Sequence, residues 1–429
     1  MDNILLMMLS AALNRGEENY GEIVDELNKR LSPYRDQEWI TLVKKAKAHS
    51  VLCLLYDLLC DLENVPAYAK IECENAARNV CTNNYRFLVM DKQIIEGLQA
   101  ENIKCCILKG IATSSYYPVP ELRKSSDIDI LITDREKAPA AVKVMEALGF
   151  TIEEEQFTNH HIVMSNSEGI TLELHTMLAE PFDDAGINKF VEGLLPRCER
   201  HIRTKNVMGV DVPMLDTAFH AYELMLHMLQ HFLYAGFGLK LLCDWVVIWN
   251  RFEKDGTERE RRADDLIVRH ERYIKLAEDT GVKHFSDVIT AFCVKYLGLK
   301  YENVSWMETG DKKGYLEKPS GGLASSMKEL MNEVLAAGEF GGDDGSRMVA
   351  LRGSGLTAYV REFHHQTKLN YPKAAKVFLL WPGLWIATLV KFLKNNRTAR
   401  NNASAKEYMK NAAQRGKLVK KLRIFEKKL

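Results

Sequence analysis

The alternating stretch 127–132, Asp-Ile-Asp-Ile-Leu-Ile, constrains this chain more than any other segment. On a β-strand successive side chains point to opposite faces, so Asp127 and Asp129 share one face and apolar residues occupy the other. Two neighbouring carboxylates repel each other unless a cation lies between them. The pattern therefore predicts a buried strand whose carboxylate face binds a hard divalent cation such as Mg²⁺.

A glycine turn precedes this strand. The strand-like segment 103–108 ends at Lys109-Gly110, and a helix-compatible segment, 111–116, follows. Glycine at a strand-to-helix turn lets backbone N–H groups approach a phosphate, and a helix N-terminus adds favourable partial charge. Arg123 stands shortly before the acidic strand, where its guanidinium can reach a phosphate or pair with a carboxylate.

A third acidic residue lies on a later strand-like run, 170–175. Glu173 is flanked there by leucines, and His175 shares its face because the two residues are two positions apart. His175 is interpreted either as a group that orients an acceptor or a carboxylate, or as a hydrogen-bonded, half-buried histidine. For Ser126 the two interpretations are a hydrogen bond to phosphate and a turn-forming role.

Together these motifs resemble the nucleotidyltransferase superfamily with the polymerase-β-like fold. Its pattern is a glycine turn after a strand, an aspartate–hydrophobic–aspartate strand and a third carboxylate on a neighbouring strand. The sequence is most similar to a broad bacterial family labelled uncharacterised nucleotidyltransferases, through segments 108–110, 123–129 and 173–175. The helical region from His231 to Asp244 also resembles that family's downstream helices. The core of the resemblance covers residues 100–180, and a looser similarity extends over most of the chain.

The resemblance implies a Mg²⁺-dependent enzyme that transfers a nucleoside monophosphate from an NTP to a hydroxyl acceptor and releases pyrophosphate. It implies that Asp127 and Asp129 bind one or two Mg²⁺ ions, and that Glu173 is a further ligand or the base. The candidate nucleotide-binding residues are Lys109, Gly110, Arg123 and Ser126, and His175 is a candidate for the acceptor site. The superfamily's usual Gly-Gly or Gly-Ser turn is replaced here by Lys109-Gly110, so phosphate contact is assigned to Lys109.

Several alternatives stay open at this level. The acceptor is a small hydroxylated molecule, an RNA end or a protein hydroxyl, and the basic C-terminus mildly favours RNA. A rival interpretation is a catalytically silent nucleotide-binding or partner-binding module of the same fold. His220, His227 and His231 have helical spacing, with Glu223 on the same face. They are interpreted as a polar stripe of hydrogen-bonded side chains, with metal ligation or an acceptor pocket as the alternatives.

The predicted fold class is α+β, with a small mixed β-sheet nucleotidyltransferase core flanked by large helical regions. We expect four parts: an N-terminal helical region (1–95), the core (96–180), a helical domain (181–305) and a C-terminal helical region with glycine-rich loops and a basic tail (306–429). Expected helices within these parts cover 83–100, 138–148, 218–249 with a break at 236–238, and 324–337. Further strands are expected at 150–155 and 161–164.

The formal net charge is zero, because 58 basic residues balance 58 acidic ones, so the composition predicts no overall electrostatic field. The nine scattered cysteines contain no Cys-x-x-Cys pair, which favours a reducing cytoplasm and argues against a zinc site. Thirteen Lys and Arg but two Glu fall in 391–429, which predicts a solvated helix or, alternatively, contact with phosphate or anionic lipid. The apolar run 377–390 is shorter than the ~20 residues of a membrane span. It is expected to dock on the protein's own core, with a membrane interface as the second interpretation.

Overall fold

A computed structural model of the protein describes most of the chain. The described residues are 2–153, 161–182, 184–234, 236–252, 263–304, 322–337, 360, 363–364, 367–368, 370–371, 374–399 and 417–426. Most of the predicted glycine-rich loops and much of the basic tail lie outside these residues, as do residues 154 and 155 of an expected strand.

Helices alternate with short strands along the chain. The N-terminal helices are α1 (Asp2–Leu13), α2 (Tyr20–Leu31), α3 (Asp36–Ala48), α4 (Tyr56–Asp61) and α5 (Ala67–Ala100). The central elements are β1 (Cys105–Ile107), α6 (Ile111–Ser114), β2 (Ile128–Ile132), α7 (Ala138–Ala147), β3 (Phe150–Ile152), β4 (His161–Asn166) and β5 (Thr171–His175). After them come α8 (Ala185–Glu192), α9 (Leu195–Arg200), β6 (Ile202–Val207), β7 (Val210–Leu215), α10 (Thr217–Tyr234), α11 (Leu239–Arg251), α12 (Ala263–Asp279), α13 (Lys283–Tyr296), α14 (Gly322–Ala337) and α15 (Trp381–Ala399).

The described strands form one mixed sheet in the order β3-β4-β5-β2-β1-β7-β6. The central strand β2 runs parallel to β5 and antiparallel to β1, and β1 runs parallel to β7. All five residues of β2 are buried, because helices and loops cover the sheet around it. The register places Asp129 opposite Glu173 on the neighbouring strand. The predicted mixed α+β fold with helical regions at both ends is therefore confirmed.

The helices on both sides of the sheet share one apolar core. In α10 and α11 nearly every side chain is buried, including Trp245 and Trp249. The N-terminal α1 packs against α11 and α13, and α5 packs against α7 and β7. Residues far apart in the chain thus form one continuous hydrophobic cluster. None of the helices in the described parts combines the length and apolarity needed to cross a membrane.

Most predicted elements are confirmed, with different bounds. Residues 83–100 belong to the longer α5, a helix of 34 residues that starts after Pro66. The expectation of a purely helical chain after Pro181 is wrong, because β6 and β7 form a hairpin that extends the sheet through β1. The sequence indicates this hairpin only weakly, because β6 is polar and Pro213 has no backbone N–H to donate within β7.

The apolar run 377–390 differs from its expectation. Most of its described side chains are exposed or half-buried, with Ile386 at 64% and Leu389 at 46% of their full accessibility. The helix α15 makes its main contacts with the two short helical turns just before it, at Ala374–Lys376 and Phe378–Leu380. The predicted docking of this run on the protein's own core is therefore wrong for these side chains.

Candidate active site

A cavity of about 380 Å³ lies between the sheet and the helices α10 and α11. Its lining comes from the Lys109-Gly110 turn, from the segment that leads into β2, from β5, and from one face of α10 with the first turn of α11. Almost all the residues that the sequence singled out line this cavity. They are Lys109, Gly110, Arg123, Ser126, Asp127, Asp129, Glu173, His175, Glu223, His227 and His231.

The glycine turn places a lysine at the cavity. The backbone of Leu108 still donates to the carbonyl oxygen of Asp129 at 3.0 Å, so the sheet pairing continues past the end of β1. The chain then turns sharply at Gly110, whose φ of 53° is unfavourable for residues with a side chain. Lys109, immediately before the turn, reaches Asp129, with 2.8 Å between its Nζ and the carboxylate Oδ1.

The two predicted aspartates differ in environment. Asp129 lies inside β2 and is 1% exposed, whereas Asp127 precedes the strand and is half-buried. Ser126 donates its hydroxyl to Asp127 Oδ1 at 3.1 Å. Burial raises the pKa of Asp127, and the neighbouring Asp129 carboxylate raises it further. Burial also raises the pKa of Asp129, but the Lys109 ammonium and the His175 imidazole together outweigh burial and lower that pKa.

His175 joins the carboxylates of the two parallel strands. Its Nε2 lies 3.0 Å from Asp129 Oδ1 and 3.3 Å from Glu173 Oε2. Burial lowers the pKa of His175, but the hydrogen bonds to the two carboxylates outweigh it and raise the pKa to about 9. The same contact lowers the pKa of Glu173 against the effect of burial. We call Lys109, Asp129, Glu173 and His175 the sheet wall; its charges are paired with one another.

The carboxylates of the sheet wall, together with Asp127, suit a divalent cation. Carboxylate oxygens from Asp127, Asp129 and Glu173 line one cavity, and such oxygens are the ligands that Mg²⁺ prefers. Within the described residues, His161, Glu173 and His175 bring three ligand atoms within 4.8 Å of one another. This tighter group contains two imidazoles, which suit Mn²⁺ or Zn²⁺ better than Mg²⁺.

Arg123 lies at the cavity but binds a carboxylate from another helix. Its Nε and Nη2 donate to the two oxygens of Asp244 at 2.8 and 2.9 Å, and its Nη1 donates to the Gly110 carbonyl oxygen at 3.3 Å. Tyr117 donates its hydroxyl to the same carboxylate at 2.7 Å. The buried guanidinium therefore fastens α11 to the glycine turn. The two aspartates of the predicted metal site are not its partners in any of these bonds.

The cavity-facing side of α10 carries a different set of polar groups. Glu223 is 3% exposed, and its Oε2 has no hydrogen-bond partner among the described residues. Burial raises the pKa of Glu223 to about 8. Burial also lowers the pKa of His231 to about 4 and that of His227 well below its usual value. We call Glu223, His227 and His231 the helix wall; its groups are held near neutrality at pH 7.

The structure divides the predicted histidine stripe. His220 faces Thr113, with 3.0 Å between its Nε2 and the threonine hydroxyl, and packs edge-on against Tyr116. This confirms the hydrogen-bonded interpretation for His220. His227 and His231 instead contact each other, with ring centroids 4.5 Å apart, and both line the cavity.

Lys240, Glu180 and Gln230 also line the cavity, although no sequence motif indicated them. Lys240 stands in the first turn of α11 and lines the cavity, and its charge lowers the pKa of Asp127. A single lysine after a glycine break carries no motif, so only the folded arrangement marks it. Together with Lys109, it brings a second ammonium group to the side of the cavity where Asp127 lies.

The comparisons with known proteins agree with the motifs. The chain belongs to a protein family described as uncharacterised nucleotidyltransferases, which matches residues 35–276, more than half of the sequence. None of the curated proteins compared with the chain matches it. Among solved structures, it is similar to an antigenic nucleotidyltransferase-like protein from Paracoccidioides brasiliensis, with 15% identity and a TM-score of 0.26. That match covers 43% of this chain and 85% of the other. Family membership supports nucleotidyl transfer as the class of reaction and an NTP as the substrate.

Proposed function

We propose that the protein transfers a nucleoside monophosphate from an NTP to a hydroxyl acceptor and releases pyrophosphate. The observation that carries the proposal is the pairing of β2 with β5. It sets Asp129 beside Glu173 at a cavity that also contains Lys109 and Asp127. Adjacent carboxylates beside a lysine suit a site that binds a divalent cation together with a polyphosphate.

In this proposal Asp127, Asp129 and Glu173 bind Mg²⁺, which neutralises charge on the triphosphate when bound. Lys109 is paired with Asp129 in the structure, and it serves as the ammonium that contacts phosphate once the carboxylate binds a cation. Lys240 supplies a second ammonium beside Asp127. Ser126, already hydrogen-bonded to Asp127, and the backbone at Gly110 complete the phosphate side of the cavity.

Arg123 has a positioning role in this scheme. The two hydrogen bonds from its guanidinium to the Asp244 carboxylate keep α11, and with it Lys240, next to the glycine turn. His175 orients Asp129 and Glu173 through its two contacts. The acceptor class stays open among small molecules, RNA ends and proteins.

The first experiment is thermal unfolding with each of the four NTPs, with and without Mg²⁺. A ligand that binds only the folded state raises its stability, so we expect a Mg²⁺-dependent shift for at least one nucleotide. Asp127→Asn removes a half-buried ligand with little risk to folding and should abolish the shift. Asp25→Asn, at an exposed position of α2, is the matched control and should keep it.

The second experiment identifies the acceptor class. NTP labelled at the α-phosphate is incubated with the protein and, separately, with a small-molecule extract, total RNA or total protein from cells. Label transfer that requires Mg²⁺ and is lost in Asp127→Asn supports the proposal and names the class. A protein that binds the labelled NTP but neither transfers label nor releases pyrophosphate is instead a nucleotide-binding module.

A further inference from the structure

Glu223 is a buried carboxyl group without a partner on one of its oxygens. It lies on α10, is 3% exposed and lines the cavity, and its Oε2 meets no hydrogen-bond donor in the described parts of the chain. Burying a polar atom without a partner costs roughly 1–3 kcal/mol. A fold therefore retains such a group at a cavity where a ligand supplies the missing contact.

The other carboxylates of the cavity are already engaged. Asp129 pairs with Lys109 and His175, and Glu173 lies 3.3 Å from the same imidazole. Glu173 also belongs to the tight group of three ligand atoms with His161. Because of these contacts, we assign the binding of cations and phosphate to the sheet wall. Glu223 lines the same cavity from α10, and its Oε2 has no hydrogen-bond partner among the described residues.

We propose that the helix wall is the acceptor site, and that Glu223 binds the acceptor hydroxyl and takes its proton as the oxygen attacks. The inference rests on the proposed nucleotidyl transfer. In the step, a bond forms between the acceptor oxygen and the α-phosphorus, and the bond from that phosphorus to the bridging oxygen breaks. Pyrophosphate leaves with the electron pair, and the hydroxyl proton moves to the Glu223 carboxylate.

The surroundings of Glu223 suit proton transfer near neutral pH. A general base works best when its pKa is close to the working pH. The pKa of Glu223 is raised to about 8, because burial, with a contribution from Asp129, outweighs the Lys109 ammonium, which lowers it. His175 and Arg123 also lower the pKa of Glu223, and the buried Cys106 thiol lies near it. The other titratable groups that line the same cavity are Asp127, Glu173, Glu180, Lys240, His227 and His231. Because the imidazoles of His227 and His231 are neutral at pH 7, they can exchange hydrogen bonds with a hydroxyl compound.

The test uses water and glycerol as acceptors, so the natural acceptor is not needed. Pyrophosphate release from Mg²⁺·NTP is followed between pH 5.5 and 9.5 in the presence and absence of about 1 M glycerol. For the wild type we expect the rate to rise with pH and level off near the pKa of about 8. Glu223→Gln should lower the rate by between about 10²-fold and 10⁴-fold and abolish the rise. Glu223→Asp should retain part of the rate and the pH dependence.

Two controls separate this inference from the proposed function. Glu146→Gln makes the same chemical change at an exposed position of α7, outside the cavity lining, and should leave the rate unchanged. The Mg²⁺-dependent NTP shift should persist in Glu223→Gln, which also shows that the variant folds. If Glu223→Gln keeps both the wild-type rate and its pH profile, the inference is overturned. The same holds if the wild type binds Mg²⁺·NTP but neither hydrolyses it nor transfers to glycerol. If the wild type shows no Mg²⁺-dependent NTP binding, the proposed function itself fails.

Discussion

The two walls of the cavity differ in the charge state of their buried groups. The sheet wall contains charged groups that are paired, and the helix wall contains groups that are mostly neutral at pH 7. In the sheet wall, Asp129 is buried as a charged group because Lys109 and His175 lie within 3.0 Å of its oxygen. In the helix wall, Glu223 Oε2 has no such partner among the described residues, and burial favours the neutral form of this carboxyl group. The first wall is suited to binding charged ligands, and the second to exchanging a proton with a neutral one.

Asp129→Asn breaks the charge pairing of the sheet wall. Pyrophosphate release should fall by about 10³-fold or more, since charge neutralisation at a metal site is worth several kcal/mol of barrier. The free energy of unfolding should also fall, by up to about 3 kcal/mol, because the half-buried Lys109 loses the carboxylate that its ammonium contacts. The double variant Lys109→Met/Asp129→Asn should recover much of the stability in urea denaturation but none of the activity. Equal stability of the single and double variants would contradict the pairing.

Arg123→Met tests the ion pair between Arg123 and Asp244, which connects the glycine turn to α11. The change leaves the carboxylate of Asp244, which is completely buried, without its guanidinium, and we expect about 3–5 kcal/mol lower stability in urea denaturation. The variant Arg123→Met/Asp244→Leu removes both charges and should unfold at a higher urea concentration than Arg123→Met alone. If instead Arg123 bound nucleotide directly, Arg123→Met would lose the NTP shift without losing stability.

Glu223→Gln sharpens the contrast through the pH dependence of stability. The pKa of Glu223 is higher in the folded protein, about 8, than its ordinary value of 4.5. Between these values the folded state binds more protons than the unfolded state, so this group makes the wild type less stable as pH rises. Glu223→Gln lacks this pH-dependent loss of stability, which amounts to about 1.4 kcal/mol for each unit of pKa shift. Its unfolding temperature relative to wild type should therefore increase from pH 5 to pH 9, and a constant difference would disprove the raised pKa.

Gly110→Ala has the smallest expected effect. An added Cβ would lie 3.7 Å from the nearest atom, the Asp127 carbonyl oxygen, so there is room for it. The strain comes from the backbone conformation, φ 53° and ψ −122°, which residues with a side chain rarely adopt, and we expect a loss of about 1–3 kcal/mol in the free energy of unfolding. Gly149→Ala, where φ is 87° at the end of α7, is a matched control for stability. Only Gly110→Ala should also weaken the Mg²⁺-dependent NTP shift in thermal unfolding.

Much of the sheet wall could be predicted because its signals are local. Alternation with a period of two requires only that 128–132 form a strand, and it then places Asp129 on the face opposite Ile128 and Ile130. The turn at Gly110 is marked by its residue type, and the Glu-Leu-His run similarly aligns Glu173 with His175. These assignments needed no knowledge of what packs against the strands. The hairpin Ile202–Leu215 was missed because its pairing with β1 is long-range and its own pattern is polar.

The amino-acid sequence by itself determined the class of fold, the carboxylate strand, the glycine turn and the third acidic residue, because each depends on neighbours along the chain. Only the tertiary structure decided what those side chains contact. Arg123 pairs with a carboxylate 121 residues away, which no local spacing indicates. The folded arrangement likewise turns Glu223 and His227 into the cavity, while His220 on the same helix binds Thr113. The electrostatics of a buried group depend on its partners in space, so the contrast between the two walls exists only in the folded protein.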